Sequence, residues 1–175
     1  SKGYNLFEQQ STVRDGMVTA LTLNIFNNHC DKIRMANVAQ LVNNLHALFL
    51  SAGDHCITTP TYHVFDMYVN SLEDYVYPVK VKSEKLKHDG DSTPVLDCVL
   101  TTDENRTRFT YAAVNKSPDQ TVSLYLGLEE LGLENPETVR AKVLSGSSPD
   151  DYNEVGAENR VVPVDTILKV KDGKV

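Results

Sequence analysis

The sequence predicts a mostly β chain whose first third is α/β and whose remainder is an antiparallel β-sandwich. Two observations support this fold class. Apolar residues recur at three- and four-residue spacing in the first third, as along a helix, whereas after Tyr75 they recur at a spacing of two, as along a strand. Clusters of Gly, Pro and polar residues separate the later apolar stretches, and short strands joined by such turns are typical of sandwiches.

The composition excludes several classes of protein. With 175 residues, of which 41% are hydrophobic, the chain can bury a core, so we do not expect disorder. The formal net charge of −7 argues against a nucleic-acid partner, which would need a basic face. No run approaches the roughly 20 apolar residues of a membrane span, so we expect no membrane partner.

The three cysteines, Cys30, Cys56 and Cys98, lie far apart in the sequence. An odd number at such spacing indicates neither a disulfide framework nor a metal site. The neighbouring pairs His29-Cys30 and His55-Cys56 point in different directions on any regular element, so we predict no metal and no cofactor. Reduced thiols favour a cytoplasmic location.

A helix is predicted from Thr12 to about His29. Its apolar residues recur at helical spacing. They are Val13, Met17, Val18, Leu21, Ile25 and Phe26. Thr12 and Asp15 form the pattern of a capping box, in which each side chain accepts a hydrogen bond from the other residue's backbone N–H. The polar residues that follow Asn28 then end the helix.

The stretch "KIRMANVAQLV" predicts a short buried strand ending at Gln40, because it lacks the polar alternation of a strand with one face in water. A helix followed by such a strand is typical of a βα-type barrel or sheet. This strand needs parallel neighbours that the sequence does not contain, so we expect a C-terminal piece of a larger protein. The amides Asn37, Gln40, Asn43 and Asn44 are unusual in a buried strand and need a separate explanation.

A second helix is predicted over about residues 59–71. Thr59 is its expected N-cap, and Pro60 stands at the first helical position, where its missing N–H costs nothing. The predicted buried stripe consists of Tyr62, Phe65 and Tyr68. His63 falls inside this pattern, and we interpret it as a surface or structural histidine rather than a catalytic one.

Antiparallel strands are predicted after Tyr75. The candidate segments are residues 75–83, 94–102, 107–117, 120–131, 138–146 and 165–175. The polar stretch "NKSPDQ", between Val114 and Val122, predicts a hairpin. Asp172-Gly173 predicts a two-residue hairpin turn, and because only two residues follow it, we expect the β-domain to be truncated before its last strand.

Three stretches of the sequence carry a resemblance to a known family. They are "NLFEQQSTVRDGMVTALTLNIFNNHCDKIRMANVAQLVNNL", "TTPTYHVFDMY" and "FTYAAVNKSPDQTVSL". In this order and spacing, the chain resembles the C-terminal part of α-L-arabinofuranosidases of glycoside hydrolase family 51. The most specific pieces are "RMANVAQLVN" and "TPTYHVFDMY".

The resemblance implies that residues 1–74 are the C-terminal part of a (β/α)8 catalytic barrel and that residues 75–175 are a jelly-roll-like β-sandwich domain. It makes residues 12–30 the penultimate helix of the barrel, residues 32–40 its eighth strand and about residues 59–71 its last helix. The expected fold is therefore the final helix-strand-helix portion of a barrel followed by an antiparallel β-sandwich.

The resemblance also implies an activity. Such enzymes hydrolyse terminal α-L-arabinofuranosyl residues of arabinoxylan, arabinan and arabino-oligosaccharides with retention of configuration, which requires two carboxyls about 5–5.5 Å apart. Both family glutamates precede this segment, so no catalytic residue is assigned here and the chain alone is expected to be inactive. Its expected partners are an arabinose-containing oligosaccharide or polysaccharide, the N-terminal remainder of the same protein and, in the parent enzyme, further copies in a homo-oligomer.

Gln40 is the residue to which the resemblance gives a substrate-binding role. Functional groups of such barrels lie at the C-terminal ends of the strands, and in the family the glutamine of the matching "AQLVN" motif hydrogen-bonds arabinose. A side chain with both donor and acceptor groups suits sugar hydroxyls. The alternative is that Gln40 only satisfies loop backbone. Structural roles are predicted for Asn37, Asn43 and Asn44.

Two other classes of function stay open. One is a non-catalytic β-sandwich module that binds carbohydrate or a protein partner, with Tyr111, Tyr125 and Tyr152 as candidate aromatic contacts. The other is a structural domain that packs against a barrel and supports oligomerisation. Barrel strands ending in glutamates upstream of Ser1 would favour the enzyme.

Overall fold

A computed structural model describes residues 10–134 and 136–175 of the chain. These residues form a mixed, strand-rich fold with two helices and several small antiparallel sheets, which confirms the expected combination of helices and antiparallel strands. The helices are α1 (Val13–Asn28) and α2 (Pro60–Ser71). The strands are β1 (Phe49–Ala52), β2 (His55–Thr58), β3 (Tyr75–Tyr77), β4 (Lys85–His88), β5 (Asp91–Pro94), β6 (Leu96–Thr102), β7 (Phe109–Asn115), β8 (Thr138–Val143) and β9 (Val164–Lys169). The division into a barrel part (1–74) and a sandwich (75–175) stays a prediction, and residues 1–9 of the first part lie outside the described residues.

Both helices begin at the caps that the sequence predicts. The Asp15 N–H donates to Thr12 Oγ1 (3.4 Å) and Asp15 Oδ2 accepts from the Thr12 N–H (2.8 Å), which completes the capping box. The Tyr62 N–H donates to Thr59 Oγ1 (3.2 Å), and Pro60 is the first residue of α2. The two predicted helices are confirmed. Neither of these described helices is long and apolar enough to cross a bilayer.

α1 and α2 pack against each other around an apolar cluster. Its buried members are Ala20, Leu23, Val64 and Val114. The stripe predicted for α2 is partly wrong, because Tyr62, Phe65 and Tyr68 are only partly buried, whereas His63 and Val64 are buried. Phe65 and Tyr68 pack against the edge of the cluster, so their large rings cover its rim while the smaller Val64 fills its interior.

The predicted strand over residues 32–40 is wrong. Residues 33–39 form no ladder with any strand of the described residues, and Met35 is 76% exposed. A strand needs a neighbour for its backbone N–H and C=O groups, and the nearest pairing to this stretch among the described residues is an isolated parallel bridge between Val42 and Phe49. Within residues 10–134 and 136–175, this apolar stretch therefore has no partner that would make it a strand.

The three-stranded sheet places β6 between β3 and β7. Leu100 of β6 lies opposite Tyr77 of β3 and Tyr111 of β7. Val99 and Leu100 are completely buried, and Cys98 is 5% exposed. All three strands fall inside predicted segments, which confirms those predictions in this part of the chain.

The hairpin predicted at "NKSPDQ" is wrong. β7 ends at Asn115, and residues 120–131 make one isolated bridge and then a series of turns instead of a strand. The backbone of these residues is hydrogen-bonded to the C-terminal residues of the chain rather than to β7. The Leu124 N–H donates to the Val175 carbonyl (2.9 Å). The polar cluster thus predicted a change of direction but not the pairing that follows it.

Two Asp-Gly turns close hairpins. Asp172-Gly173 has positive φ at both residues (52° and 71°), and Lys171 pairs with Lys174 across it, as in a two-residue type I′ turn; this predicted turn is confirmed. Asp89-Gly90 (φ 47° and 90°) joins β4 to β5 in the same way. These two strands were not predicted, because β4 and β5 are mostly exposed and carry no apolar alternation.

The connection between β8 and β9 reaches the N-terminal ends of both helices. The Val13 N–H donates to the Asp151 carbonyl (2.9 Å) at the start of α1. Asn153, which is 1% exposed, donates from Nδ2 to the carbonyl of Thr58 (3.0 Å), the residue before the N-cap of α2. The connection between β8 and β9 is therefore hydrogen-bonded to the backbone at or just before the start of each helix.

Candidate functional site

Gln40 lies at the start of a loop that leads to β1, and its side chain is exposed to solvent. Gln40 Oε1 accepts a hydrogen bond from Asn44 Nδ2 (3.4 Å), and the Gln40 backbone N–H donates to the Asn44 carbonyl (3.4 Å). The peptide bond between Ala39 and Gln40 is cis. Among the described residues, Asn44 is thus the hydrogen-bond partner of the carboxamide, and the exposed position of Gln40 makes it accessible to a ligand.

Asn43 ties the same loop to β1. Asn43 Nδ2 donates to the Ser51 carbonyl (3.2 Å), and Asn43 Oδ1 accepts from the Ser51 N–H (2.7 Å). The φ angle of Asn43 is 63°, in the left-handed region that Asn tolerates better than most residues. These contacts agree with the structural role that the sequence predicts for Asn43.

A histidine that the sequence analysis did not single out connects this loop to α1. His46 Nε2 lies 3.1 Å from Asp15 Oδ1, and both side chains are partly buried. Asp15 Oδ2 is held by the capping box, which leaves the other carboxylate oxygen to face His46. The contact is an ion pair when His46 is protonated and a hydrogen bond when it is neutral. No periodic pattern could have revealed a contact between residues 31 positions apart.

A cavity of about 140 Å³ lies between the two helices and residues 36–38. Its walls are mainly apolar side chains, with polar groups from Asn37 and His46. Ligand pockets usually enclose about 300–1,000 Å³, so this cavity is too small and too apolar to hold a sugar. Asn37 lines the cavity and Gln40 does not.

Two other reactive side chains have structural environments. His63 of α2 lies 3.2 Å from Thr58 Oγ1, and burial lowers its pKa although the Asp66 carboxylate acts in the opposite direction; this agrees with a structural histidine. Burial, with a smaller contribution from the Asp97 carboxylate, raises the pKa of the Cys98 thiol to about 12, so this thiol is unreactive. Among the described residues, no three His, Cys, Asp or Glu side chains are arranged to hold a metal ion.

The tyrosines considered as carbohydrate contacts have different environments. Tyr125 is 53% exposed. Tyr111 is partly buried and donates its hydroxyl to the Leu126 carbonyl, while the partly buried ring of Tyr152 lies 5.8 Å from the guanidinium carbon of Arg160. Of these three rings, Tyr125 alone is open enough for a sugar to stack on it.

Known sequences are similar to this chain over almost its whole length. The family model of the α-L-arabinofuranosidase C-terminal domain matches residues 2–175. The chain is 29% identical over 157 residues to an intracellular exo-α-L-arabinofuranosidase of Bacteroides ovatus, and 29% identical over 160 residues to an intracellular exo-α-(1→5)-L-arabinofuranosidase of Streptomyces lividans. These matches cover 89% and 90% of this chain but 30% and 24% of the two relatives. The matched regions thus span less than a third of either relative.

Solved structures of α-L-arabinofuranosidases are also similar to this chain. The family 51 arabinofuranosidase of Xanthomonas axonopodis pv. citri superimposes with a TM-score of 0.80 at 26% identity, covering 99% of this chain and 35% of that one. A Thermotoga maritima α-L-arabinofuranosidase solved as an arabinose complex gives a TM-score of 0.79 at 22% identity, with coverage of 100% and 38%, and shares the fold. Because the family model also spans residues 2–175, the resemblance is confirmed: the chain belongs to the α-L-arabinofuranosidase C-terminal domain family.

Proposed function

We propose that this chain is the C-terminal part of a retaining α-L-arabinofuranosidase that removes terminal α-L-arabinofuranosyl groups from arabinoxylan, arabinan and arabino-oligosaccharides. The match of residues 2–175 to the family of C-terminal domains carries this proposal. The relatives' names support it, since each of the two curated relatives is called an intracellular exo-acting arabinofuranosidase. Those names also support a cytoplasmic location for this protein.

Within this enzyme, we assign the chemistry and the binding to different parts of the polypeptide. Retaining hydrolysis needs an acid/base carboxyl and a nucleophilic carboxylate about 5–5.5 Å apart, and we place both upstream of Ser1. Residues 1–74 complete the barrel that carries these groups, and residues 75–175 form a β-sandwich beside it. The partners of the chain are therefore the N-terminal remainder of the protein, the arabinose-containing substrate and other copies in a homo-oligomer.

Gln40 is the residue of this chain that we assign to the substrate. The residue is exposed, and within the part of the chain that the structure describes its carboxamide hydrogen-bonds Asn44. A carboxamide has two N–H donors and a carbonyl acceptor, so it can still hydrogen-bond a hydroxyl of the arabinose ring. Its role is to hold the sugar in the orientation that the two upstream carboxyls require.

The first test is the activity of the 175-residue chain alone on an aryl α-L-arabinofuranoside. We expect no turnover, because binding energy without the nucleophile cannot open the retaining pathway. The full-length enzyme should hydrolyse the same substrate. Turnover by the 175-residue chain comparable to that of the full-length enzyme would refute the placement of both carboxyls upstream of Ser1.

The second test is Gln40→Ala in the full-length enzyme. Losing a hydrogen bond to the sugar should cost roughly 1–3 kcal/mol, which lowers kcat/KM by about 5- to 150-fold. If the hydrogen bond between Gln40 and the sugar is stronger in the transition state than in the bound substrate, its loss lowers kcat as well. If the bond is equally strong in both states, its loss raises KM alone. Gln120→Ala, in the loop after β7, is the matched control and should keep wild-type kinetics. A Gln40→Ala enzyme with an unchanged melting temperature and kinetics within about twofold of wild type would show that Gln40 only satisfies the loop.

A further inference from the structure

We propose that Asn43 and Asn44 are positioning residues that hold Gln40 in its substrate-binding orientation. This inference rests on the proposed function, in which Gln40 binds arabinose. Two separate sets of hydrogen bonds support it, one between Asn44 and Gln40 and the other between Asn43 and β1. Together, the side-chain amides of Asn43 and Asn44 connect the carboxamide of Gln40 to the hairpin of β1 and β2.

Asn44 is the residue in direct contact with Gln40. It meets Gln40 twice, at the backbone through its carbonyl and at the side chain through Nδ2, each at 3.4 Å. The side-chain contact holds one end of the Gln40 carboxamide beside Asn44 and leaves the other end to a ligand. Asn44 therefore limits the orientations that the carboxamide can adopt.

Asn43 fixes the loop that carries this contact. Its two bonds to Ser51, at 2.7 and 3.2 Å, join the loop to β1, which is paired in turn with β2 through Ser51 and Cys56. The Asn43 N–H also donates to the Phe49 carbonyl (3.0 Å). Three hydrogen bonds thus attach one loop residue to a paired strand.

Gln40 is an exposed residue of a loop in the part of the chain that the structure describes, so its long side chain has several rotamers open to it unless hydrogen bonds hold one of them. A group that is free before binding must be ordered when the ligand arrives, and this ordering weakens affinity. Contacts made by Asn43 and Asn44 before binding remove that loss, which is the usual role of residues that support a binding group.

The test uses the full-length enzyme and the aryl α-L-arabinofuranoside. Asn43→Gly removes the side-chain bonds to Ser51 while keeping the left-handed backbone, which Gly adopts freely. We expect KM to rise and kcat/KM to fall by about 3- to 10-fold, with an unchanged melting temperature. Asn43→Asp keeps an acceptor for the Ser51 N–H and should recover part of the loss. Asn44→Ala, which removes the contact with Gln40 Oε1, should give a loss similar to that of Asn43→Gly.

Asn115→Ala is the matched control. Asn115 makes the same two kinds of bond in the loop after β7, with Nδ2 donating to the Gln120 carbonyl (2.8 Å) and Oδ1 accepting from the Ser117 N–H (3.0 Å). Removing them should leave KM and kcat within about 1.5-fold of wild type. A loss in Asn115→Ala equal to that in Asn43→Gly would mean that the kinetics report general loosening, and the inference would be overturned.

A double-mutant cycle separates positioning from an independent structural effect. If Asn43 acts through Gln40, then adding Asn43→Gly to Gln40→Ala should change kcat/KM by less than about 1.5-fold. A further loss of about 3- to 10-fold in the double variant would overturn the inference. If Gln40→Ala alone leaves the kinetics unchanged, the assignment of Gln40 fails and the inference fails with it. If Gln40→Ala is impaired while Asn43→Gly and Asn44→Ala are normal, the inference alone fails.

Discussion

Residues 33–46 and strand β6 are both apolar stretches, but they have opposite environments. Six of the seven residues of β6 are buried, and the strand is paired on one side with β3 and on the other with β7. In residues 33–46 most side chains are exposed or half-buried, with Met35 at 76% and Leu41 at 61% exposure. Apolar side chains alone therefore do not make a strand. A neighbour on each side must also satisfy the backbone, because unpaired N–H and C=O groups are costly to bury.

In residues 33–46, side-chain amides supply part of the hydrogen bonding that neighbouring strands supply to β6. β6 is held by regular ladders, whereas the loop at residues 41–44 is held by single contacts, such as the Phe49 N–H to the Leu41 carbonyl (3.1 Å) and the Ser51 N–H to Asn43 Oδ1 (2.7 Å). Side-chain amides can supply such bonds locally. This explains why an otherwise apolar stretch carries several uncharged amides.

The strongest test of this comparison is a matched pair of truncations. Leu100→Ala in β6 removes a completely buried side chain and should lower the free energy of unfolding of the 175-residue chain by about 2–5 kcal/mol. Met35→Ala removes a side chain that is 76% exposed and should change it by less than about 0.5 kcal/mol. Urea unfolding monitored by circular dichroism measures both values. Equal losses in the two variants would contradict the difference in packing.

A smaller loss of stability is expected for a substitution at the contact between β6 and the helices. Asn24 of α1 is completely buried, donating from Nδ2 to Asp97 Oδ1 of β6 (2.7 Å) and accepting at Oδ1 from the Tyr68 hydroxyl (2.6 Å). Burial, together with the nearby Asp97, raises the pKa of Tyr68, so its hydroxyl remains a donor. Asn24→Ala removes both bonds. Asp97 Oδ1 loses its donor, whereas the Tyr68 hydroxyl keeps the Ala20 carbonyl (3.1 Å) as an acceptor. The free energy of unfolding, measured in the same way, should fall by about 1–3 kcal/mol.

The control for Asn24→Ala is Asn27→Ala, one turn further along α1. Asn27 Nδ2 makes a single bond to the Leu23 carbonyl of the same helix (2.8 Å). Its loss should stay within about 0.5 kcal/mol. A cost for Asn27→Ala as large as that for Asn24→Ala would show that the bond between α1 and β6 adds nothing beyond ordinary helix contacts.

The same comparison shows what the sequence can predict. The caps at Thr12 and Thr59 and the Asp172-Gly173 turn were predicted correctly, because each depends on residues within four positions of one another. β6 and β7 were recovered because their apolar content matches their burial. The hairpin of β4 and β5 was missed because it carries no apolar alternation.

The candidate site is harder to predict from the residues alone. Gln40 is an exposed loop amide, and neither periodicity nor spacing distinguishes it from any other; only the family resemblance singled it out. The contact of His46 with Asp15 joins positions 31 apart, and the strand predicted over residues 32–40 failed because pairing depends on neighbours that a local pattern does not reveal. Contacts between residues far apart in the chain are therefore the part of the site that local sequence patterns do not predict.

The smallest expected effect lies at the turn that ends β6. Asp103 Oδ1 accepts from the backbone N–H groups of Arg108 and Thr107 (2.7 Å each), and Oδ2 accepts from Thr107 Oγ1 (2.7 Å). The Arg108 bond and then the Thr107 hydroxyl lower the pKa of Asp103 from 3.8 to about 2. Because the folded-state pKa is depressed, the stabilisation is complete above the unfolded value near 3.8 and disappears as the pH falls through about 2.

Asp103→Asn should therefore lower the melting temperature slightly at about pH 6 and by less at about pH 2.5, since this carboxylate is solvent-accessible and its charged interactions are screened. Asp31→Asn, at an exposed position outside this turn, is the control for a general effect of replacing a carboxylate with an amide. A melting-temperature difference for Asp103→Asn that is as large at pH 2.5 as at pH 6 would mean that the carboxylate's charge does not contribute to closing the β6–β7 turn.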